Sequence, residues 1–238
     1  MVKRNLFDSR LDSFMFFNYK NDFTIVIPVL NEEEAIGQVL SDIKNEGYKD
    51  ILVVDGRSTD QTYDIVCKNG VDIVLQNGVG KTGAIETAIN HINTPFFIVM
   101  DGDCTYHPKD IKNFVPKILF NDQVIGTRNS GRDNIPMLNR FGNLWLNLMF
   151  NLFFRTKILD VCSGMYALRT KFAKTLYFKT TGFDVEVEIA AQAAKNGRIG
   201  EVPINYYPRV GQQKLRPIKD GLQIFLSILA LGIRMRAR

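Results

Sequence analysis

The sequence predicts an α/β fold, a mostly parallel central sheet with helices on both faces, and three observations carry that prediction. Short apolar runs rich in β-branched residues alternate with stretches of helical spacing. Glycines and acidic or amide residues punctuate the joints, where helices stop and strands turn. With 238 residues, 45% hydrophobic and 23% charged, the chain is long enough to bury one large core.

FTIVIPVL (23–30) is a continuous apolar run and reads as a buried strand. The adjoining NEEEAIGQVLSDIKNEG has helical spacing at Ile36, Val39, Leu40 and Ile43, with Asn31 expected as its cap and Gly47 as its stop. ILVVD (51–55), a helix over 60–68, VDIVL (71–75), a helix over 81–93 and FFIVM (96–100) repeat the alternation. The second half predicts a strand at 124–127, a long helix over 136–154, a strand at 165–169 and a helix over 184–196 stopped by Gly197. EVPINYYPRV reads as extended, because Pro203 and Pro208 exclude a helix interior. The expected organisation is an N-terminal extension (1–22), one catalytic domain (23–216) and a C-terminal amphipathic helix (217–238).

Composition narrows the classes. Cys67, Cys104 and Cys162 lie too far apart in sequence for a close-spaced zinc or redox motif, which suits a reducing compartment. MVKRN opens like a signal peptide, but Asp8, Arg10 and Asp12 interrupt the stretch beyond it, so none is expected. No run reaches the roughly 20 apolar residues of a spanning helix. The formal charge of +5 points to anionic partners, and it concentrates after residue 208: Arg209, Lys214, Arg216, Lys219, Arg234, Arg236 and Arg238 against Asp220 alone. No aromatic–basic recognition motif accompanies it, so nucleic acid is not expected and a non-catalytic binding module has only the charge in its favour.

The chemistry gathers at strand ends. Asp55 and Asp101 each come directly after an apolar strand, so a parallel sheet delivers both to one rim, where ligands of such folds bind. Aspartate after a strand is also an ordinary turn former. In VMDGDCTYHP, Asp101 and Asp103 flank Gly102, whose missing side chain would let a ligand approach the backbone. Paired hard oxygens favour Mg²⁺ or Mn²⁺, which keep waters and bridge to phosphates. GVGKTG places Gly80, Lys81 and Thr82 like the end of a P-loop, but Leu75 stands where the first glycine is required.

PVLNEEEAI, VVDGRSTDQT, GVGKTGAIETA, the Asp101–Asp103 motif, IGTRNSGRD, DVCSGMYALR, GFDVEVEIAAQAAKNG and EVPINYYPRVGQQKLRPIKDG occur in an order that resembles glycosyltransferase family 2. The likeness covers roughly residues 23–225 and is strongest to dolichyl-phosphate mannose and glucose synthases and their archaeal relatives. It implies a single GT-A (Rossmann-like) domain and a nucleotide-diphospho-sugar donor, UDP- or GDP-linked. Pro28, Leu30 and Glu32 would frame the nucleotide and Asp55 its base or ribose. Asp101 and Asp103 would serve ribose and metal, and Arg128 and Arg140 the donor phosphates or the acceptor. Arg209 and Lys214, around Gly211, would sit on a loop closing over phosphates, with Lys81 a further donor contact. The sequence departs from mannose synthases at Thr105, where they usually carry Gln.

The resemblance implies an inverting transfer of a hexose or N-acetylhexosamine to a polyprenyl (dolichyl) phosphate. The alternative is a sugar hydroxyl on a glycan, for which Asp184, Glu186 or Glu188 would supply a base. The QxxRW signature of processive polymer synthases is absent. Two segments suggest a membrane surface and a peripheral place on its cytoplasmic face. The helix at 136–154 sets Asn139, Asn143, Asn147 and Asn151 against an apolar remainder, and GLQIFLSILALGIRMRAR ends in arginines. Both segments would equally suit packing on the domain.

Overall fold

Alternation along the first strand decides where the layers lie. β1 (Phe23–Val29) sends Phe23, Ile25, Ile27 and Val29 to one face of the sheet and Val26 to the other, as the two-residue period requires. In this computed structural model, which describes residues 22–236, each face is covered by helices. α1 (Ile36–Asn45), α2 (Thr62–Lys68) and α4 (Ile111–Ile118) bury Ile36, Val39, Leu40, Ile43, Val66, Ile111, Phe114 and Ile118 on the first. α3 (Gly80–His91) and α7 (Val185–Asn196) bury Ala84, Ile85, Ala88, Val185 and Ile189 on the second. The expected extension at 1–22 falls almost wholly outside the described residues, as do 237 and 238.

The sheet has seven strands in the order β3-β2-β1-β4-β6-β5-β7. The remaining six are β2 (Ile51–Asp55), β3 (Asp72–Leu75), β4 (Phe96–Val99), β5 (Gln123–Ser130), β6 (Tyr166–Arg169) and β7 (Ile199–Asn205). β6 runs against β4 and β5, and every other pairing is parallel. Val29 pairs with Asp55 and Val26 with Val99, so the chain leaves β1, β2 and β4 at one common edge. After β6 comes a single helical turn, α6 (Thr170–Ala173).

A third apolar cluster lies beyond β5. Here α5 (Met137–Phe154) and α8 (Pro217–Arg236) place Leu146, Phe150, Ile224, Ile228 and Leu231 against Val187, Ala190 and Ala191 of α7. The two helices run side by side in the same direction. A Cβ on Gly232, late in α8, would meet the ring of Phe153, late in α5, while Leu138 and Gly142 share a cleft with Pro217 and Gly221. The C-terminal helix therefore packs on the domain along one side.

One local expectation changes, and two helices take a form that local pattern left open. Asn31 does not cap α1, which starts at Ile36 after a turn in which the Glu32 carbonyl accepts from the N–H groups of Ala35 and Ile36. Asn31 takes φ 53° instead and its Oδ1 accepts from Thr59 N–H at 2.7 Å, tying the loop after β1 to the loop after β2. α4 is an element that spacing does not announce, because Pro116 sits inside it; burial of Ile111, Phe114 and Ile118 outweighs the lost backbone bond. The long apolar helix α5 is no core helix, since only Leu146 and Phe150 of it are buried.

Candidate active site

Three loops leave the sheet at the shared edge, and each contains one non-glycine residue in the left-handed region: Asn31 after β1, Arg57 after β2 and Cys104 after β4. Such backbone is held in place only where its surroundings determine it. Asp55, at the end of β2, is 1% exposed. It accepts from Ser58 N–H at 3.1 and 3.2 Å and from Ser58 Oγ at 2.5 Å, so its carboxylate shapes the loop beyond the strand. Pro28 lies within β1, level with Val54, and Leu30 is exposed just beyond that strand.

The Asp101–Asp103 motif follows β4 after Met100, and its two carboxylates have different partners. Asp101 Oδ1 meets Lys81 Nζ at 2.7 Å, and the same ammonium meets Glu186 Oε1 at 2.7 Å. Burial alone would depress Lys81, but Asp101 and Glu186 carry it well above the ordinary ammonium range, so it stays a cation. Burial pushes Glu186 up against the opposing pull of Lys81. Asp101 is pressed onto the backbone at Gly164, where a Cβ would collide with its carboxylate. Gly164 N–H in turn donates to the Tyr106 hydroxyl at 2.9 Å.

Asp103 is buried, and Thr105 fixes it. Thr105 N–H and Oγ1 donate to Asp103 Oδ1 at 3.0 and 2.5 Å, leaving Oδ2 for Arg209 Nη1 at 2.5 Å. Burial, with the charge of Asp101, raises the Asp103 carboxyl above its usual range, and Arg209 opposes this. The other arm of the Arg209 fork, Nη2, reaches Glu32 Oε1 at 2.8 Å, and Lys214 Nζ meets the same oxygen at 2.6 Å. Glu32 Oε2 has no hydrogen-bond partner among the described residues. Burial raises Glu32 too, against Lys214 and Arg209.

The segment after β7 thus lies across the site. Tyr207 N–H donates to the Thr105 carbonyl, Val210 N–H to the Asp103 carbonyl and Lys214 Nζ to the Asn31 carbonyl. Gly211, at φ 80°, makes the turn between Arg209 and Lys214. Gly102 works differently from the expectation: its missing side chain faces the sheet, where a Cβ would meet Val29 at 2.9 Å and Ile27 at 3.2 Å. The room it leaves is filled by core rather than by the cleft.

Arg128 and Arg140 stand to one side. Arg128 is 7% exposed; its Nε and Nη2 reach Asp160 Oδ2 and Oδ1 at 2.6 and 2.5 Å, and its guanidinium lies over the Tyr206 ring. It walls both the cleft of about 280 Å³ that holds Asp101 and Asp103 and a neighbouring apolar cavity of about 410 Å³. Arg140 lines only the second, and pairs with exposed Asp133 at 3.0 Å. The structure therefore groups Glu32, Asp103, Arg209 and Lys214, groups Asp101 with Lys81, and sets Arg140 apart. Gly164 and Asp160 belong to this neighbourhood although sequence reasoning singled out neither; the motif DVCSGMY, which begins at Asp160, held the signal, and only the fold brings that segment beneath Asp101 and Arg128.

A family model described as Glycosyl transferase family 2 matches residues 24–176. The chain belongs to glycosyltransferase family 2. Among its relatives is glycosyltransferase AglJ of Haloferax volcanii, 36% identical over 211 residues, covering 86% of this chain and 70% of that protein. The dolichyl-phosphate hexose transferase of the same organism is 32% identical over 223 residues, covering 92% and 97%. Among solved structures, glucosyl-3-phosphoglycerate synthase from Mycobacterium tuberculosis, crystallised with Mn²⁺, UDP and glucosyl-3-phosphoglycerate, superposes with a TM-score of 0.71 at 19% identity. That match covers 98% of this chain and 86% of the other, and shows the GT-A fold. As a family 2 glycosyltransferase, the chain carries its acidic motif at the strand edge where α/β sheets bind ligands.

Proposed function

We propose that this glycosyltransferase moves a hexose or N-acetylhexosamine, with inversion, from a UDP- or GDP-linked sugar to a polyprenyl phosphate such as dolichyl phosphate. It would act peripherally at the cytoplasmic face of the membrane that holds the acceptor. The observation that carries the reading is the convergence of Glu32, Asp101 and Asp103 with Lys81, Arg209 and Lys214 at one sheet edge. The donor set fits Mg²⁺ or Mn²⁺. It offers hard carboxylate oxygens, one of them the unpartnered Glu32 Oε2, and Asp103 Oδ2 is paired to Arg209, a cation that a metal ion can displace. Held by Asp101 and Asp103, such an ion supplies charge neutralisation to the departing diphosphate. The Mn²⁺ and UDP in the glucosyl-3-phosphoglycerate synthase crystals support this assignment.

The chain's own residues divide the work. Asp55 shapes the loop under the nucleotide, which Pro28, Leu30 and Glu32 frame, and Gly102 lets the motif sit tightly on the sheet. Arg209 and Lys214, held by acids in the free chain, turn to the phosphates when the donor enters, while Lys81 keeps Asp101 in place. Arg128 and Arg140, beside the apolar cavity, receive the acceptor phosphate.

The acceptor class rests on the acids of α7 and its N-terminal cap. Asp184 accepts from Ser227 Oγ at 2.6 Å, and Glu188 accepts from the N–H groups of Lys179 and Thr180 and from Thr180 Oγ1. Glu186 is held by Lys81. All three are engaged, so none is free to deprotonate a sugar hydroxyl, whereas a phosphate oxygen is already anionic and needs only alignment. The relative named as a dolichyl-phosphate hexose transferase supports the same class.

The test is incubation of purified protein with Mg²⁺ or Mn²⁺, a panel of UDP- and GDP-sugars and dolichyl phosphate, with mass spectrometry of the lipid product. A glycosylated dolichyl phosphate is expected; transfer only to free oligosaccharides overturns the lipid acceptor. Asp103→Ala should lower turnover about 100-fold or more. Full wild-type activity in EDTA would overturn the metal.

A further inference from the structure

Of the twenty large apolar side chains that are exposed among the described residues, eleven lie on just two helices, so the apolar surface is concentrated. Seven are on α5, spaced over one arc from Met137 through Phe141, Leu144 and Leu148 to Leu152. Four are on α8: Ile218, Leu222, Leu226 and Ile233, again one stripe. The opposite sides of both helices are the ones buried against α7, so the two stripes form a single outer layer. At 18 and 20 residues the helices are about 27–30 Å long. Among the described residues no helix is long and apolar enough to cross a membrane.

Charge selects the occupant. α5 contains no carboxylate, and exposed cations stand at both ends of the parallel pair: Arg132, Arg140, Arg216 and Lys219 at the start, against Asp133 and Asp220, and Arg155, Lys157 and Arg234 at the finish. A second copy laid on this face about a twofold axis would bring cations toward cations whichever way the helices crossed. An anionic bilayer satisfies both ends at once, with the apolar stripes in the acyl boundary and the cations among headgroups. We propose that the α5–α8 layer is a membrane-docking face that lies flat on anionic lipid and turns the mouth of the Arg140-lined apolar cavity toward the bilayer. The proposal rests on the lipid-phosphate reading and names the surface that would meet a lipid-held acceptor.

The test uses neither donor nor acceptor, so a failed transfer assay leaves it intact and its own failure leaves the transfer reading in place. Trp145 is the single tryptophan of the chain and is 54% exposed on this face. The intact protein is titrated with vesicles of phosphatidylcholine, with and without phosphatidylglycerol. The Trp145 emission should shift to the blue and be quenched by brominated acyl chains, more strongly with the anionic lipid and less at high salt. Leu148→Glu and Leu222→Glu, checked by circular dichroism for retained fold, should each weaken vesicle binding about tenfold or more. Unmoved Trp145 emission overturns the proposal. So does vesicle binding that both variants retain, or a concentration-dependent dimer that Leu148→Glu dissociates.

Discussion

Replacing Asp160 with alanine isolates the electrostatics of the wall between the two cavities. The Arg128 guanidinium is almost wholly buried and forms two parallel bonds to Asp160, which also accepts from Arg128 N–H at 3.1 Å. Burial alone would depress Arg128, but Tyr106 and Asp160 raise it well above its ordinary value, so it stays charged. Asp160→Ala then strands a buried cation, at about 3–5 kcal/mol. For a chain of this size that corresponds to a melting temperature about 6–20 °C lower. Thermal and urea unfolding followed by circular dichroism measure it. The double variant Arg128→Met/Asp160→Leu, which removes both charges at similar volume, should recover most of the loss. A loss below about 1 kcal/mol in the single variant, or no recovery in the double, would refute the view that this pair is a desolvated unit.

Arg209→Ala should raise Mn²⁺ affinity in the absence of donor, because it frees Asp103 and Glu32, yet lower transfer more than nucleotide binding; calorimetry and single-turnover rates separate the two. Gly164→Ala forces a methyl into the Asp101 carboxylate, so it should lower turnover about tenfold or more through a displacement of roughly an ångström, with circular dichroism showing the fold retained. Glu201, on β7, accepts from Leu159 N–H at 2.8 Å and from Thr127 Oγ1 at 3.1 Å, and burial raises its carboxyl above the ordinary range. Its folded form holds the proton more tightly than its unfolded form, so its stabilisation is full below the unfolded value and is lost as pH rises through the folded one. Glu201→Gln keeps the acceptor and removes the titration; urea unfolding across acid pH should show the wild type losing stability relative to the variant as pH increases.

Much of the fold was legible because β1, β2 and β4 are buried on both faces and therefore read as unbroken apolar runs. That Asp101 and Asp103 and the Arg209–Lys214 loop would serve one site was an expectation of the family resemblance. What local pattern could not convey was long-range. Pro116 hides α4 from any rule of spacing. Asn31 looks like a cap, but its αL backbone and its bond to Thr59 depend on a loop 28 residues away. That Arg209 bridges Glu32 and Asp103, 177 and 106 residues distant, and that Gly164 seats Asp101, are facts of packing.

The sheet order also sets a schedule for synthesis. β1 to β4 leave the ribosome first and include three of the sheet's four parallel pairings, so that half can begin to assemble while the rest is still being made. β6 must then slot in beside β4 from far downstream, carrying Gly164 to Asp101, and only after β7 does Arg209 reach Asp103. A nascent chain can thus own its scaffold well before it owns a working centre.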